Sequence, residues 1–154
     1  MKITAIDTYI AGNPWKNWLF AKVSTDAGIY GVGEGTLNFF AKTVEAAIHE
    51  LKPLVLGMSP FDVEAIWQRL IRNVYTDGAQ IHMCAVAAIE FACWDIVGKA
   101  VGQPIYNLWG GRCRPKLRAY ANGWYRGPRT VENFAEKAKG VVARGYTALK
   151  FDPF

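Results

Sequence analysis

Ala88-Ile89-Glu90-Phe91-Ala92-Cys93-Trp94-Asp95-Ile96-Val97-Gly98-Lys99, continued by Gly102-Gln103-Pro104-Ile105-Tyr106-Asn107-Leu108-Trp109-Gly110-Gly111, is the stretch on which the reading of this chain turns. Its first part lies in a run from about Ala79 to Val101 that is apolar or small almost all round. Only Glu90, Asp95 and Lys99 are charged there. A helix without a polar face is buried between other elements. Asp95 and Lys99, four residues apart, can pair along it, and Gly102 and Pro104 supply its stop. Trp94 and Asp95 therefore read as structural, the Trp in the core and the Asp in an internal pair.

Toward the N-terminus the period changes. Lys2 to Ile10 alternates apolar and polar residues, and Trp18 to Thr25 and Ile29 to Glu34 form two further strand-like runs. Asp26-Ala27-Gly28 between the last two is a hairpin turn, with Gly28 able to take positive φ. A first helix centres on Val44, Ala47, Ile48 and Leu51 at three- and four-residue spacing. For a second, Ser59 is expected as the N-cap, Pro60 at the first helical position, and Asp62 against the dipole. Its apolar face is Val63, Ile66, Trp67, Leu70, Ile71 and Val74.

Toward the C-terminus, Pro104 to Gly111 reads as a short turn of helix with a glycine stop, and Arg112 to Lys116 as a polar linker. Leu117 to Ala121 is a predicted strand. Thr130 caps a helix with an apolar face of Phe134, Ala135, Ala138, Val141 and Val142, Gly145 ends it, and Tyr146 to Phe151 is a second strand. Strand, helix, strand is a βαβ unit, which makes the two strands parallel. A lone unit of this kind has exposed strand edges and too little cover. A closed eight-fold barrel takes roughly 250 residues, and only positions 117–154 follow the linker. The segment reads as the opening of a larger α/β domain.

Composition sets the outer bounds. The chain is 51% hydrophobic and 14% aromatic, enough to bury a core rather than stay disordered. Asp, Glu or Lys interrupts every hydrophobic stretch, so no run is read as a membrane span, and the N-terminus lacks signal-peptide features. The net charge of +5 is scattered apart from Arg112, Arg114, Lys116 and Arg118. Pro115 breaks that cluster, and no nucleic-acid module accompanies it. Cys84 and Cys93 sit roughly 13 Å apart along one predicted helix, too far for a disulfide. With Cys113 they make an odd count, which suits a reduced, cytoplasmic protein. His49 and His82 stand alone, and no Cys or His pair has zinc-ligand spacing.

The opening stretch, the strand end Gly31-Val32-Gly33-Glu34-Gly35 and the βαβ segment together resemble the mandelate racemase branch of the enolase superfamily, over essentially the whole chain. Within that branch, Tyr120-Ala121-Asn122-Gly123-Trp124-Tyr125 and Ala148-Leu149-Lys150-Phe151-Asp152-Pro153-Phe154 are similar to the gluconate/galactonate dehydratases. The resemblance implies an α+β capping domain over 1–111, an antiparallel three-stranded sheet followed by helices. A linker at 112–116 joins it to the first βαβ unit of a (β/α)8 TIM-like barrel over 117–154. It also implies Mg²⁺, bound by carboxylates beyond Phe154, and a sugar-acid substrate. Neither nucleic acid nor membrane is expected as a partner, and a homo-oligomer is.

Such enzymes abstract the proton next to a carboxylate, and the enediolate that forms needs cations to stabilise it. In a barrel the reacting groups sit at the C-terminal ends of strands. Lys150 and Asp152 lie there, and their i,i+2 spacing puts them on one face. They are the expected catalytic pair. Many branch members carry Lys-x-Lys here with the second lysine as base, whereas this chain has Asp152. Asp152 is read as orienting Lys150, holding the substrate or taking the proton, with Lys150 stabilising the carboxylate or enediolate. An ordinary surface ion pair is the bland alternative. Asn122, Trp124 and Tyr125, after the first barrel strand, are expected to bind substrate, or else to be turn chemistry.

The resemblance also implies a lid loop, Asn13-Pro14-Trp15-Lys16-Asn17-Trp18. There Trp15, Lys16 and Asn17 are expected to contact substrate, Trp15 and Trp18 to exclude water, and Lys16 to meet a carboxylate. Thr36 to Phe40 corresponds to a second specificity loop. The expected function is the N-terminal part of an acid-sugar dehydratase giving a 2-keto-3-deoxy acid, inactive as this stretch alone. A racemase, epimerase or cycloisomerase of the branch and a non-catalytic interaction protein reusing the capping fold are the alternatives.

Overall fold

The computed structural model describes residues 1–12, 15–73, 75 and 78–152. Asn13 and Pro14 of the first loop, Val74 of the second helix face, and Pro153 and Phe154 lie outside the described residues. The chain divides into two compact units, Met1–Gly111 and Arg112–Phe154.

In the first unit, β1 (Ile3–Gly12), β2 (Asn17–Thr25) and β3 (Tyr30–Glu34) form one antiparallel sheet in that order. The turn between β2 and β3 closes through the Gly28 amide on the Thr25 carbonyl, with Gly28 at φ +76°. Leu19, Ala21 and Val23 of β2 alternate inward and are fully buried, as a half-covered strand requires. Against them pack α1 (Ala41–Leu51) and α3 (Ala79–Val101), and α2 (Val63–Arg72) packs on α3. Each presents a stripe at helical spacing: Val44, Ile48 and Leu51; Val63, Ile66 and Leu70; Ala85, Ala88, Ile89, Ala92, Cys93 and Ile96. Gly102, at φ +64°, ends α3 with its amide on the Lys99 carbonyl and that of Gln103 on the Gly98 carbonyl. A four-residue α4 (Ile105–Leu108) follows.

Two close-packing devices fix α3 on the sheet. Gly31 and Gly33 face its backbone so tightly that a methyl group on either would overlap the Ala92 or Ala88 carbonyl oxygen. At the free edge of β3, Asp95 Oδ2 accepts from the Val32 amide at 2.9 Å, and Lys99 Nζ donates to the Tyr30 carbonyl at 2.8 Å. The two side chains pair with each other at 2.7 Å. Helix side chains thus use the edge groups that another strand would need.

Several expectations are corrected. The second helix starts at Val63 with Asp62 as its N-cap residue. Ser59 instead closes the preceding turn, its carbonyl accepting from Asp62 and its hydroxyl from Phe61, so Pro60 lies outside the helix. Trp94 is half-buried, edge-on to Trp109 at 5.2 Å, with its indole N–H buried and unpaired, and the Asp95–Lys99 pair is partly exposed rather than internal. By length and hydropathy alone α3 is apolar enough to cross a bilayer, contrary to the expectation that no run is, although Glu90, Asp95 and Lys99 do interrupt it. Half of that window is buried, and a core helix has the same composition for its own reason.

The second unit is a strand–helix–strand arrangement reduced to its minimum. Ala121 and Leu149 form a single parallel bridge, held by the Ala121 amide on the Ala148 carbonyl and the Lys150 amide on the Ala121 carbonyl. The extended strands expected over Leu117–Ala121 and Tyr146–Phe151 are otherwise irregular, because no further ladder bonds fix their backbone. Between them runs α5 (Val131–Ala143), capped as its sequence implies, with Thr130 Oγ1 accepting from the Asn133 amide. Its apolar face is narrower than expected: Val141 is buried and Phe134 and Ala138 half-buried, but Ala135 and Val142 are exposed. One bridged pair covers only one stripe of a helix.

Candidate functional site

The bridge at Ala121 and Leu149 sets two segments side by side, 122–125 and 150–152, both leaving the pair in the same direction. Gly123, at φ +69°, turns the first segment, and its amide donates to Asn122 Oδ1 at 2.8 Å. The turn brings Trp124 back over the second segment, where its indole N–H donates to the Lys150 carbonyl at 2.8 Å. Tyr125 reaches farther, and its hydroxyl donates to Asp152 Oδ2 at 2.8 Å. Arg129 adds a third tie, Nη1 to the Asp152 carbonyl at 3.0 Å. Under these bonds the rings of Trp124, Tyr125, Phe134 and Phe151 form one cluster, with centroids 5.5 to 6.4 Å apart.

The electrostatics follow from that geometry. The Asp152 carboxylate, by accepting its hydroxyl, raises the Tyr125 phenol above its ordinary value of 10.0. Desolvation and the carboxylate's charge act in the same sense, while Arg129 opposes them. Asp152 does not pair with Lys150, and among the described residues the Lys150 ammonium has no ion-pair partner. Two exposed groups, a cation and a carboxylate with one oxygen already committed, thus stand near the end of one bridged segment. Asn122 is exposed beside them. Such a set can meet a ligand that carries both a carboxylate and hydroxyls.

Lys16 Nζ lies 5.0 Å from the Trp15 ring centre and 4.9 Å from that of Trp18, so its charge faces two indoles. Trp15 is exposed, and Asn17 opens β2 opposite Gly12. In the second loop Thr36 Oγ1 accepts from the Leu19 amide at 3.1 Å, which ties that loop to the sheet. Phe39 is 99% exposed at φ +68°, a backbone region that costs a bulky residue energy.

His49 and His82 are used structurally, within 3.0 Å of Thr8 Oγ1 and 3.1 Å of the Leu70 carbonyl respectively. Burial, helped by Glu90, pushes the Cys93 thiol up to about 12. Among the described residues no three His, Cys, Asp or Glu side chains converge as a metal site. Arg129, Phe134 and Phe151 were not anticipated at the site. Arg129 sits in an irregular loop with no periodicity to mark it, and Phe151 alternates away from Lys150 and Asp152 along the chain.

Comparison with known proteins agrees with this architecture. Residues 9–110 match the family model of the mandelate racemase / muconate lactonizing enzyme N-terminal domain. A D-galactonate dehydratase of Pectobacterium atrosepticum is 43% identical over 154 residues, which is 100% of this chain and 37% of that protein. A D-galactonate dehydratase of Xanthomonas campestris pv. campestris is 42% identical over the same span and share. A crystal structure of a member of the enolase superfamily from Salmonella Typhimurium superposes with a TM-score of 0.88 at 34% identity, over 98% of this chain and 42% of that one. The chain therefore spans 37% of the length of these curated relatives.

Proposed function

The chain belongs to the mandelate racemase / muconate lactonizing enzyme family, and on that premise we propose that it is part of an acid-sugar dehydratase. In this reading the whole protein removes the proton next to the carboxylate of an aldonate or aldarate, expels a hydroxyl as water, and releases a 2-keto-3-deoxy acid. The observation that carries the reading is an overall identity of 43% with a D-galactonate dehydratase over a match that covers 100% of this chain.

The roles we assign follow from charge and reach. Lys150 presents an ammonium with no ion-pair partner among the described residues, where a carboxylate or enediolate would need a positive charge. Asp152 keeps one oxygen for a substrate hydroxyl, and Asn122 and Trp124 line the same segment pair. Trp15, Lys16 and Asn17 serve substrate selection from the capping unit, with Lys16 acting from between its two tryptophans. The second unit is read as the opening of the barrel. The described residues do not fit a Mg²⁺ site, so the chemistry assigned to this stretch is confined to its own side chains.

The test is an assay of the protein expressed from its complete reading frame, with Mg²⁺ and a panel of aldonates and aldarates, scored for a 2-keto-3-deoxy acid. Turnover of at least one sugar acid is expected. Exchange of the α-hydrogen with solvent deuterium but no keto acid would replace the dehydratase with a racemase or epimerase. Neither exchange nor product across the panel would remove the enzyme reading.

A further inference from the structure

Three hydrogen bonds run from one side of the bridged pair to the other. They come from Trp124, Tyr125 and Arg129, and they end on Lys150 and Asp152. Two of them grip the main chain and would hold the segment whatever side chain stood at position 152. The third differs, because Tyr125 reaches the Asp152 carboxylate itself. A carboxylate has two oxygens and accepts about four hydrogen bonds. With Oδ2 held at 2.8 Å by a phenol in a ring cluster, the carboxylate is restrained, and among the described residues no donor occupies Oδ1.

We propose that Tyr125 is the positioning residue of Asp152, orienting its carboxylate so that the uncommitted oxygen accepts a hydroxyl of a polyhydroxy-acid substrate. This rests on the reading of Lys150 and Asp152 as the substrate-contacting pair, and it removes Tyr125 from the residues that touch substrate. It also selects among the three roles open to Asp152. Oδ2 is already committed to the Tyr125 hydroxyl and the main-chain carbonyl to Arg129, so in this reading Asp152 holds substrate rather than taking its proton. Nor does it orient Lys150, since no ion pair joins the two.

The pairing is tested without catalysis by spectrophotometric titration of the tyrosines in this chain. Subtracting the Tyr125→Phe variant from the unaltered chain isolates the one phenol. In Asp152→Asn its midpoint is expected to fall back toward the ordinary value, because the accepting charge is gone. An unchanged midpoint would overturn the pairing.

The role is tested in the protein expressed from its complete reading frame. Tyr125→Phe is expected to lower kcat/KM for the sugar acid about tenfold or more, mostly through KM. It should cost nothing further in an Asp152→Asn background, because the two residues act as one unit. Independent, multiplicative losses would sink the positioning role, as would a kcat effect with KM unchanged. Absence of turnover in the unaltered protein counts against the dehydratase reading, and the titration still decides the pairing.

Discussion

The two units solve the same problem, a helix against strands, with very different amounts of buried material. In Met1–Gly111 a continuous core runs from Ile3 and Ile6 through Leu19, Val44, Ile48, Ile66 and Leu70 to Ile89 and Ile96, and the free edge of β3 is closed by Asp95 and Lys99. In Arg112–Phe154, Ala121 and Val141 alone are buried among the described residues, while Leu117, Val131 and Val142 are 58 to 85% exposed. The candidate catalytic groups stand on the poorly buried unit. Burial stabilises at about 25 cal/mol per Å², so the first unit holds itself together, and the second depends on hydrogen bonds and one aromatic cluster. The contrast teaches that the candidate pair Lys150 and Asp152 stands on the unit whose own described residues bury the least.

The sharpest way to break the comparison is at the glycine contact between β3 and α3. Gly33→Ala drives a methyl into the Ala88 carbonyl and is expected to cost about 3 kcal/mol or more of first-unit stability in denaturant unfolding. Leu70→Ala, emptying a fully buried site, should cost about 3 kcal/mol. The matching truncation Val142→Ala in the second unit should stay within about 0.5 kcal/mol.

Asp95→Ala leaves the Val32 amide without its acceptor and the Lys99 ammonium with the Tyr30 carbonyl but no counter-charge. It should cost about 1–2 kcal/mol and speed hydrogen exchange at Val32. At the small end, Gly140 lies in α5 with nothing within 4 Å of an added methyl, so Gly140→Ala should stabilise the second unit by about 1 kcal/mol. If it does not, helix formation there is not what limits the unit.

Titration offers an independent comparison. The Cys93 thiol is raised from 9.0 to about 12 on folding. Its contribution to stability is therefore complete below 9.0 and lost as pH rises through about 12. Tyr125 has the same sign: its contribution is complete below 10.0 and lost as pH rises through its raised value. Thiol labelling at mild alkaline pH should reach exposed Cys113 at once and buried Cys93 only on unfolding.

Much of the first unit was legible because local rules coincide with tertiary ones there. The all-round apolar run gave α3 its bounds and Gly102 its stop, and in the second unit the same local logic made Thr130 the start of α5. Ser59 misled because Ser-Pro-x-Asp is equally good turn chemistry, and only the packing of Val63 and Ile66 decides where the helix begins. The strand end Gly31-Val32-Gly33-Glu34-Gly35 could be seen, but not its purpose, since a close backbone approach has no signature until the opposing helix is in place.

At the candidate site Lys150 and Asp152 were picked out on spacing and resemblance, yet an ion pair between them was the bland expectation, and the structure gives Asp152 to Tyr125 instead. The amino-acid sequence by itself determined the periodicities, the caps and the order of elements, because those depend on residues within one or two turns of each other. Only the tertiary structure decided which partners the polar groups take. The Val32–Asp95 and Tyr125–Asp152 bonds join positions 63 and 27 residues apart. The choice of partner over such distances is made by how helix and strand come to rest together.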